Sequence, residues 1–297
     1  MSEFKHFPVM SKEATDALNC SSGKVYVDAT LGGGGYSSLI LKKIGEEGRL
    51  LAFDVDNDAI FFAKEKLKNY KNLTIIKDSH VNIKSHLTDL GIERIDGGIV
   101  YDFGASFHQL TNADRGFSFQ KDAVLDMRFD KDSDFSAYEV INFYKESDLV
   151  RIFSEYGEER FSKRIAKAIV EKRKKTKINT TLELVKIIFE ATPRIKTKIH
   201  PATRVFQAIR IEVNHELENI KNSLENILPF LEEGAIISAV TFHSAEDRIV
   251  KNFFRDNSGK AGGKLKVLTK KPICATEEEI KINPPSRSAK LRYAQVI

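Results

Sequence analysis

Cysteine is nearly absent from this 297-residue chain: Cys20 and Cys274 stand far apart, and neither belongs to a C-x-x-C pair. A disulfide framework or a zinc ribbon is therefore not expected, and a reducing cytosol is the expected compartment. No apolar run approaches the roughly 20 residues that a membrane-spanning helix needs. The opening MSEFKHFPVM lacks the basic-then-apolar layout of a secretion signal. Histidines at H-E-x-x-H or facial-triad spacing are missing too, so no structural or catalytic metal is expected. There is no internal repeat, and the low-complexity sequence is confined to the short basic run Lys172–Lys177. What the chain does have is 41% hydrophobic and 30% charged residues, enough apolar material for a real core. Its length suits one large α/β domain or two smaller ones. The net charge of +5 is mild, and where the charge sits says more.

Residues 24–30, KVYVDAT, alternate apolar and polar and run into the glycines Gly32–Gly35, as a strand entering a tight loop would. SSLILKKIG reads as a helix closed by Gly45. RLLAFDVD (49–56) reads as a strand buried on both faces. A helix, AIFFAKEKLKNY, and two further strands, NLTIIKD and IDGGIVYDFG, continue the rhythm of βαβ units around a parallel sheet. From about 105 to 210 no strand is predicted. Residues 110–140 hold four Lys/Arg against seven Asp/Glu (net −3), and residues 145–210 hold seventeen against eight (net +9). In a helix over 158–173, Phe161, Ile165, Ala168 and Ile169 share one face, with Lys163, Arg164 and Lys167 elsewhere. That charge suits either a solvated helix surface or a nucleic-acid face. Helical spacing returns through Val213, Leu217, Ile220, Leu224 and Leu231, then a buried strand AIISAVTF (235–242) and short strands near KLKVLTK and AKLRYAQVI. The simplest architecture is one α/β sheet domain split by a helical insertion.

Asp28 stands four and six residues before Gly32 and Gly34. Glycines at a first βα turn let a backbone approach a nucleotide-like ligand where a Cβ would collide. The dinucleotide fingerprint G-x-G-x-x-G would need a third glycine where Ser37 stands, which weakens that reading. The D-x-x-x-G-x-G form instead resembles loops that hold S-adenosylmethionine in class I methyltransferases. Asp54, 21 residues after Gly33, sits where a carboxylate accepts ribose hydroxyls. Asp102-Phe103-Gly104 has the letters of a kinase magnesium triad, but no H-R-D loop or V-A-I-K strand accompanies it. Asp102 is read either as an acceptor for a substrate amine at the ligand crevice or as a helix cap. In His243-Ser-Ala-Glu-Asp247, Ser244 with Asp247 reads as a capping box rather than as a Ser–His nucleophile.

Longer words follow one another along nearly the whole chain: Tyr26-Val-Asp-Ala-Thr-Leu-Gly-Gly-Gly-Gly-Tyr-Ser37, Arg115-Gly-Phe-Ser-Phe119 with Leu125-Asp-Met-Arg128, His200-Pro-Ala-Thr-Arg-Val-Phe-Gln-Ala-Ile-Arg210, and Phe242-His-Ser-Ala-Glu-Asp-Arg-Ile-Val-Lys251. With His6-x-Pro-Val9, Tyr156-Gly-Glu-Glu159 and Asn283-Pro-x-Ser-Arg-Ser-Ala-Lys-Leu-Arg292, they resemble the RsmH (MraW) family of bacterial methyltransferases. The resemblance implies a Rossmann-like class I methyltransferase core, residues 1–108 and 211–297, interrupted by a helical substrate-recognition insertion over 109–210. It implies S-adenosylmethionine as methyl donor and N4 of a cytidine in the decoding region of 16S ribosomal RNA as acceptor. The partner would be the small ribosomal subunit, with no membrane; the oligomeric state stays open, a homodimer being one form to consider. The family's cofactor contacts fall on Gly34, Gly35, Tyr36, Asp54, His80, Asp102 and Gln109, with Asp102 also the catalytic candidate. Tyr36 stands where the family has His, Phe103 where it has Leu, Phe107 where it has Ser, and Pro285 where it has Arg. No acidic anchor or glycine is lost by these departures, so activity is expected.

For such a reaction Phe103, Phe107, Phe117 and Phe119 are candidates to hold an unstacked base, with Phe117 and Phe119 equally suited to a core. Arg164, Lys167 and Lys174 are candidates for RNA docking, with the terminal Arg287, Lys290 and Arg292 as the competing set. A dinucleotide-dependent oxidoreductase, and an RNA-binding assembly factor that has lost catalysis, are the alternatives in other classes.

Overall fold

The computed structural model describes residues 8–106, 109–110, 112–193 and 200–297. The chain divides into two compact units, Met1–Gly104 with Leu217–Ile297, and Ala105–Glu216.

In the first unit α1 (Ser11–Ala17) precedes β1 (Val25–Asp28), α2 (Gly35–Ile44), β2 (Arg49–Asp54), α3 (Asn57–Leu67), β3 (Leu73–Lys77), α4 (Ile83–Asp89) and β4 (Gly98–Asp102). Strand β2 explains why these segments are strands. Leu50 and Ala52 point into a core built with Ile40, Leu41 and Ala63 of α2 and α3, while Leu51 and Phe53 enter a second core with Ile83 and Leu87 of α4. A period of two with both sets apolar leaves a strand buried on both faces, as in parallel sheets covered by helices. Gly45, with φ 65°, caps α2, as its position in the sequence predicts.

The second unit is helical: α5 (Ala137–Phe143), α6 (Glu146–Glu155), α7 (Ser162–Arg173), α8 (Thr181–Ala191) and α9 (Ala202–Asn214). Val140, Ile152, Ile165, Ile169, Leu184, Val205 and Ile209 meet in its core. It extends beyond 109–210 because α9 runs to Asn214 and buries Val213 in that same core. Helix α7 begins four residues later than the sequence suggests and buries Ser162, Ile165, Ala166 and Ile169, so Ala166 takes the place expected for Ala168.

The apolar repeat from Val213 to Leu231 is not one helix. His215 adopts a left-handed conformation (φ 50°) and ends α9. Helix α10 (Glu216–Ile227) then carries Ile220 and Leu224 into the sheet's core. Strand β5 (Ile236–Thr241), α11 (Ser244–Asp256), β6 (Leu265–Val267), β7 (Ile273–Cys274), α12 (Glu277–Ile282) and β8 (Lys290–Val296) complete the first unit. The sheet order is β3-β2-β1-β4-β5-β8-β6, with β7 also on β8. Strands β1 to β5 are parallel, and β8 runs antiparallel to β5, β6 and β7. Among the described residues no helix is long and apolar enough to cross a membrane.

Gly98, where β4 passes β5, has φ 148°, and a Cβ there would stand 2.4 Å from the Ile236 carbonyl oxygen. Gly91 has φ 64° with nothing within 4 Å of its would-be Cβ. Gly98→Ala should therefore cost more than about 2 kcal/mol and Gly91→Ala about 1 kcal/mol. Urea unfolding followed by circular dichroism measures both, and equal losses would show that strand approach at Gly98 does not limit the sheet.

Candidate functional site

Strand β1 has β2 on one side and β4 on the other, and the chain steps outward in both directions from that pair. Ligands of such sheets bind outside the carboxyl ends of the strands, where the order reverses. Three carboxylates close the strands there: Asp28 on β1, Asp54 on β2 and Asp102 on β4.

Their surroundings differ. Asp28 is fully buried; it accepts from the Ser37 hydroxyl at 2.6 Å and from the Thr30 amide at 3.2 Å. Burial pushes its pKa up to about 6. The same Thr30 accepts the Asp102 amide on its hydroxyl at 2.7 Å, so one small network ties the ends of β1 and β4 to the start of α2. Asp54 accepts one backbone amide on each oxygen, Gly32 at 2.7 Å and Asp56 at 2.8 Å. Burial, with Asp56 and Asp28 nearby, raises it to about 6 against those two bonds. Each oxygen retains a further lone-pair direction for a ligand hydroxyl.

Asp102 is the exception. Its Oδ1 is buried and has no hydrogen-bond partner, so this oxygen caps no helix. Burial holds its carboxyl well above the usual range, reinforced by the negative neighbours Asp28 and Glu246. An unpaired buried carboxylate oxygen is costly unless something else completes it.

His80 opens a short 3₁₀ turn, His80–Asn82, whose first carbonyl accepts the Ser223 hydroxyl at 3.0 Å. Its Nδ1 is buried without a partner, and burial lowers its pKa to about 4, so the ring is neutral at pH 7. The ring meets Tyr101 and Phe103 edge-on, each with centroids 5.9 Å away.

The glycine loop leaves β1 with Gly32 at φ 49° and Gly34 at φ 71°. A Cβ on Gly34 would meet Leu67 at 2.9 Å, and one on Gly35 would meet Pro8 at 2.5 Å. Tyr36 is buried, and its hydroxyl donates to the Val9 carbonyl. Gly34 thus packs the loop against α3, while Gly35 and Tyr36 pack it against the chain's N-terminal segment. Gln109 belongs to the helical unit, where it is buried and its Oε1 accepts the Ser106 amide at 2.9 Å. Among the described residues no group of three or more His, Cys, Asp or Glu side chains is arranged to hold a metal.

The aromatic candidates divide. Phe103 is buried and stacks on Tyr101 at 4.8 Å, and Phe117 is buried and stacks on Phe129 at 5.6 Å. Both are core. Phe119 is partly buried and stacks on His200 at 4.7 Å. Phe107 lies outside the described residues.

Several sequence words turn out to be fastenings. The capping box at α11 is formed by His243 and Glu246, not Ser244 and Asp247: the Glu246 carboxylate accepts the Phe242 amide at 2.7 Å and the His243 amide at 3.2 Å. Asp247 is thereby left to bind Arg292 at 2.6 Å and Lys290 at 3.7 Å across to β8. Two of the three terminal cations are therefore committed inside the fold, and only Arg287 of that set is exposed. Arg115 is buried and donates to the carbonyls of Arg128 (2.9 Å) and Phe129 (3.0 Å), bracing the loop of its own unit. On α7, Lys163, Arg164 and Lys167 are exposed, whereas Lys174 lies past the helix end and pairs with Glu171 at 2.7 Å. The sequence points to Ser37 only as the residue in place of a third glycine and does not point to Thr30; the one signal of their role is proximity to Asp28 in the loop word.

Comparison with known proteins agrees with this architecture. Residues 3–297 match the model of the MraW methylase family. The "Ribosomal RNA small subunit methyltransferase H" of Caldicellulosiruptor bescii is 50% identical, the match covering 99% of this chain and all of that protein. The proteins of the same name from Clostridium botulinum and Sulfurihydrogenibium are 47% and 48% identical over 99% of this chain. A Clostridium thermocellum structure assigned as an rRNA methylase superposes with TM-score 0.50 at 14% identity, covering 98% of each chain, and supports the fold. With the family model spanning nearly every residue and relatives close to half identical along their whole length, the chain belongs to the MraW methylase family.

Proposed function

We propose that this chain transfers a methyl group from S-adenosylmethionine to the exocyclic N4 of a cytidine in the decoding region of 16S ribosomal RNA, acting on the small ribosomal subunit in the cytoplasm. Family membership supports the methyl transfer, and the relatives' names support the ribosomal RNA substrate. The observation that carries the chemistry is Asp102: a carboxylate oxygen at the end of β4, buried and without a partner.

The residues present suit the cofactor. Asp54 has two oxygens, each with one backbone donor and room for a hydroxyl. The loop Gly32–Gly34 brings bare backbone to the same strand ends, and His80 offers an unpartnered ring nitrogen. We assign Gly34, Gly35, Tyr36, Asp54, His80, Asp102 and Gln109 to cofactor binding. Tyr36 would act through packing of the loop, since its hydroxyl is already donated to Val9.

When bound, S-adenosylmethionine supplies a methyl group made electrophilic by the adjoining sulfonium. The protein's work is then alignment. Cytidine N4 is a poor nucleophile because its lone pair is delocalised into the ring. Asp102 Oδ1 accepts the N4–H and favours the pyramidal nitrogen of the transition state. Thr30 holds the Asp102 backbone in place for that contact. As the N–C bond forms the S–C bond breaks, leaving the neutral thioether, and the N4 proton, acidic only then, passes to Asp102 or water, so a strong base is not required beforehand. The target base must leave its stack to be reached. The exposed α7 cations Lys163, Arg164 and Lys167 dock the RNA through its phosphates.

Incubation with labelled S-adenosylmethionine and isolated small subunits, followed by nucleoside mass spectrometry, should yield N4-methylcytidine. Label in another nucleoside, or none, would overturn the reading.

Asp54→Ala should weaken S-adenosylmethionine binding by roughly 1.5–3 kcal/mol, the range for bonds to a charged group. Because the Asp54 carboxyl is raised to about 6, affinity should be full above that pH and fall as the pH drops through it. Calorimetry across pH 5–8 should find no such step in Asp54→Asn; a persisting step would move it to Asp28, which titrates in the same range.

Asp102→Ala should lower turnover on the order of 10²-fold while leaving RNA affinity nearly intact. Near-normal turnover at saturating cofactor would end its catalytic role.

The triple variant Lys163→Gln, Arg164→Gln, Lys167→Gln should reduce the slope of log affinity against log salt by about 2 in binding to small subunits, with cofactor affinity unchanged. An unaltered slope would show that this face is merely solvated.

A further inference from the structure

Among the described residues of the helical unit, Phe143 and Phe189 are both exposed, and Phe143 is the ring with a lysine ammonium against it. Phe143, the last residue of α5, is 61% exposed, although residues on both sides of it are buried or clamped. The segment that crosses beside it is the basic run Lys172–Lys177, which begins in the last turn of α7 and continues past its end. Arg173 donates to the carbonyls of Ile141 and Tyr144, bracketing Phe143 in the chain. Asn142 locks the far end: its side-chain amide donates to the Ile178 carbonyl at 2.8 Å, and its Oδ1 accepts the Ile178 amide at 3.0 Å. Between these two clamps, Lys177 donates to the Asn142 carbonyl at 3.5 Å and places its ammonium 4.2 Å from the Phe143 ring centroid. Lys172, Lys174, Lys175 and Lys177 are all exposed along this run, as is Lys145 two residues beyond the ring.

An exposed phenyl ring gains nothing by itself from water, and closely spaced lysines repel one another. The buried amide of Asn142 and the guanidinium of Arg173 are spent on holding the two together. A ring with a row of cations beside it is the combination that binds unpaired nucleic acid, where a base stacks on the aromatic face and its phosphates meet the charges. A duplex hides its base faces and offers phosphates alone.

We infer that Phe143 and the clamped basic run Lys172–Lys177 form a platform for single-stranded RNA, on which one unpaired base stacks against Phe143. The site lies wholly within the helical unit and is distinct from the methyl-transfer residues of the sheet unit. The inference rests on the ribosomal RNA reading only for the source of the strand.

Fluorescence anisotropy with the full chain tests it, using a labelled oligouridylate of about 12 nucleotides and an RNA duplex of the same length. Phe143→Ala should weaken oligouridylate binding about 10-fold without changing the salt slope, and should leave duplex binding as it was. Phe143→Trp should restore or strengthen single-strand binding. Lys172→Gln with Lys175→Gln should instead flatten the salt slope for both probes. Equal single-strand affinity of wild type and Phe143→Ala would overturn the platform. So would a Phe143→Ala variant whose only change is a lower sedimentation coefficient, which would make the ring an interface between copies. Methylation of small subunits, measured on the wild type alone, reports separately on the proposed reaction.

Discussion

Burying the Asp28 carboxylate at the end of the first strand costs solvation that only directed hydrogen bonds offset, and those bonds shape everything beside it. Ser37 must stand in the first turn of α2 to donate to it, which determines where that helix begins and how tightly the loop before it turns. Thr30 must present its amide, which leaves its hydroxyl free to accept the Asp102 amide. The end of β4 is therefore held from β1, and the Asp102 side chain is released from any duty to its own backbone. Burial raises the pKa of Asp28, Asp54 and Asp102, and at Asp54 and Asp102 the neighbouring acids add to it.

The division of labour between the two units follows the same logic. In the sheet unit, Asp28 and Asp54 are satisfied by directed hydrogen bonds, while Asp102 Oδ1 and His80 Nδ1 are buried without partners. In the helical unit the buried polar groups, Arg115 and Asn142 among them, brace loops and leave the charge outside. A surface of lysines held by a few buried clamps is suited to a flexible polyanion, whose phosphates need charge at roughly the right spacing more than an exact shape.

Much of the architecture was legible in the chain itself. Strands buried on both faces show as apolar runs of five or six residues, and glycines after the first of them mark the loop. The helical insertion shows as a long interval without strand signals, and the basic run as a plain charge count. These are local properties, set by residues within a turn or a strand of one another. The resemblance to the family rested on longer words of the same local kind.

What only the tertiary structure decided is which polar residue serves the fold and which is left over. Asp28, Asp54 and Asp102 look alike as acids at strand ends, yet only Asp102 has a buried oxygen, Oδ1, without a partner, while Thr30, 72 residues away, holds its amide. Arg292 resembles an RNA-binding residue until Asp247, 45 residues earlier in the chain, is found against it. The capping box is His243–Glu246 and not Ser244–Asp247, and Asp247 is engaged instead with Arg292 of β8. The single apolar repeat from Val213 to Leu231 was divided between two cores by one left-handed residue, His215. Periodicity reports that a side chain will be buried; the partner that buries or satisfies it is chosen by contacts distant in sequence, and no local pattern encodes them.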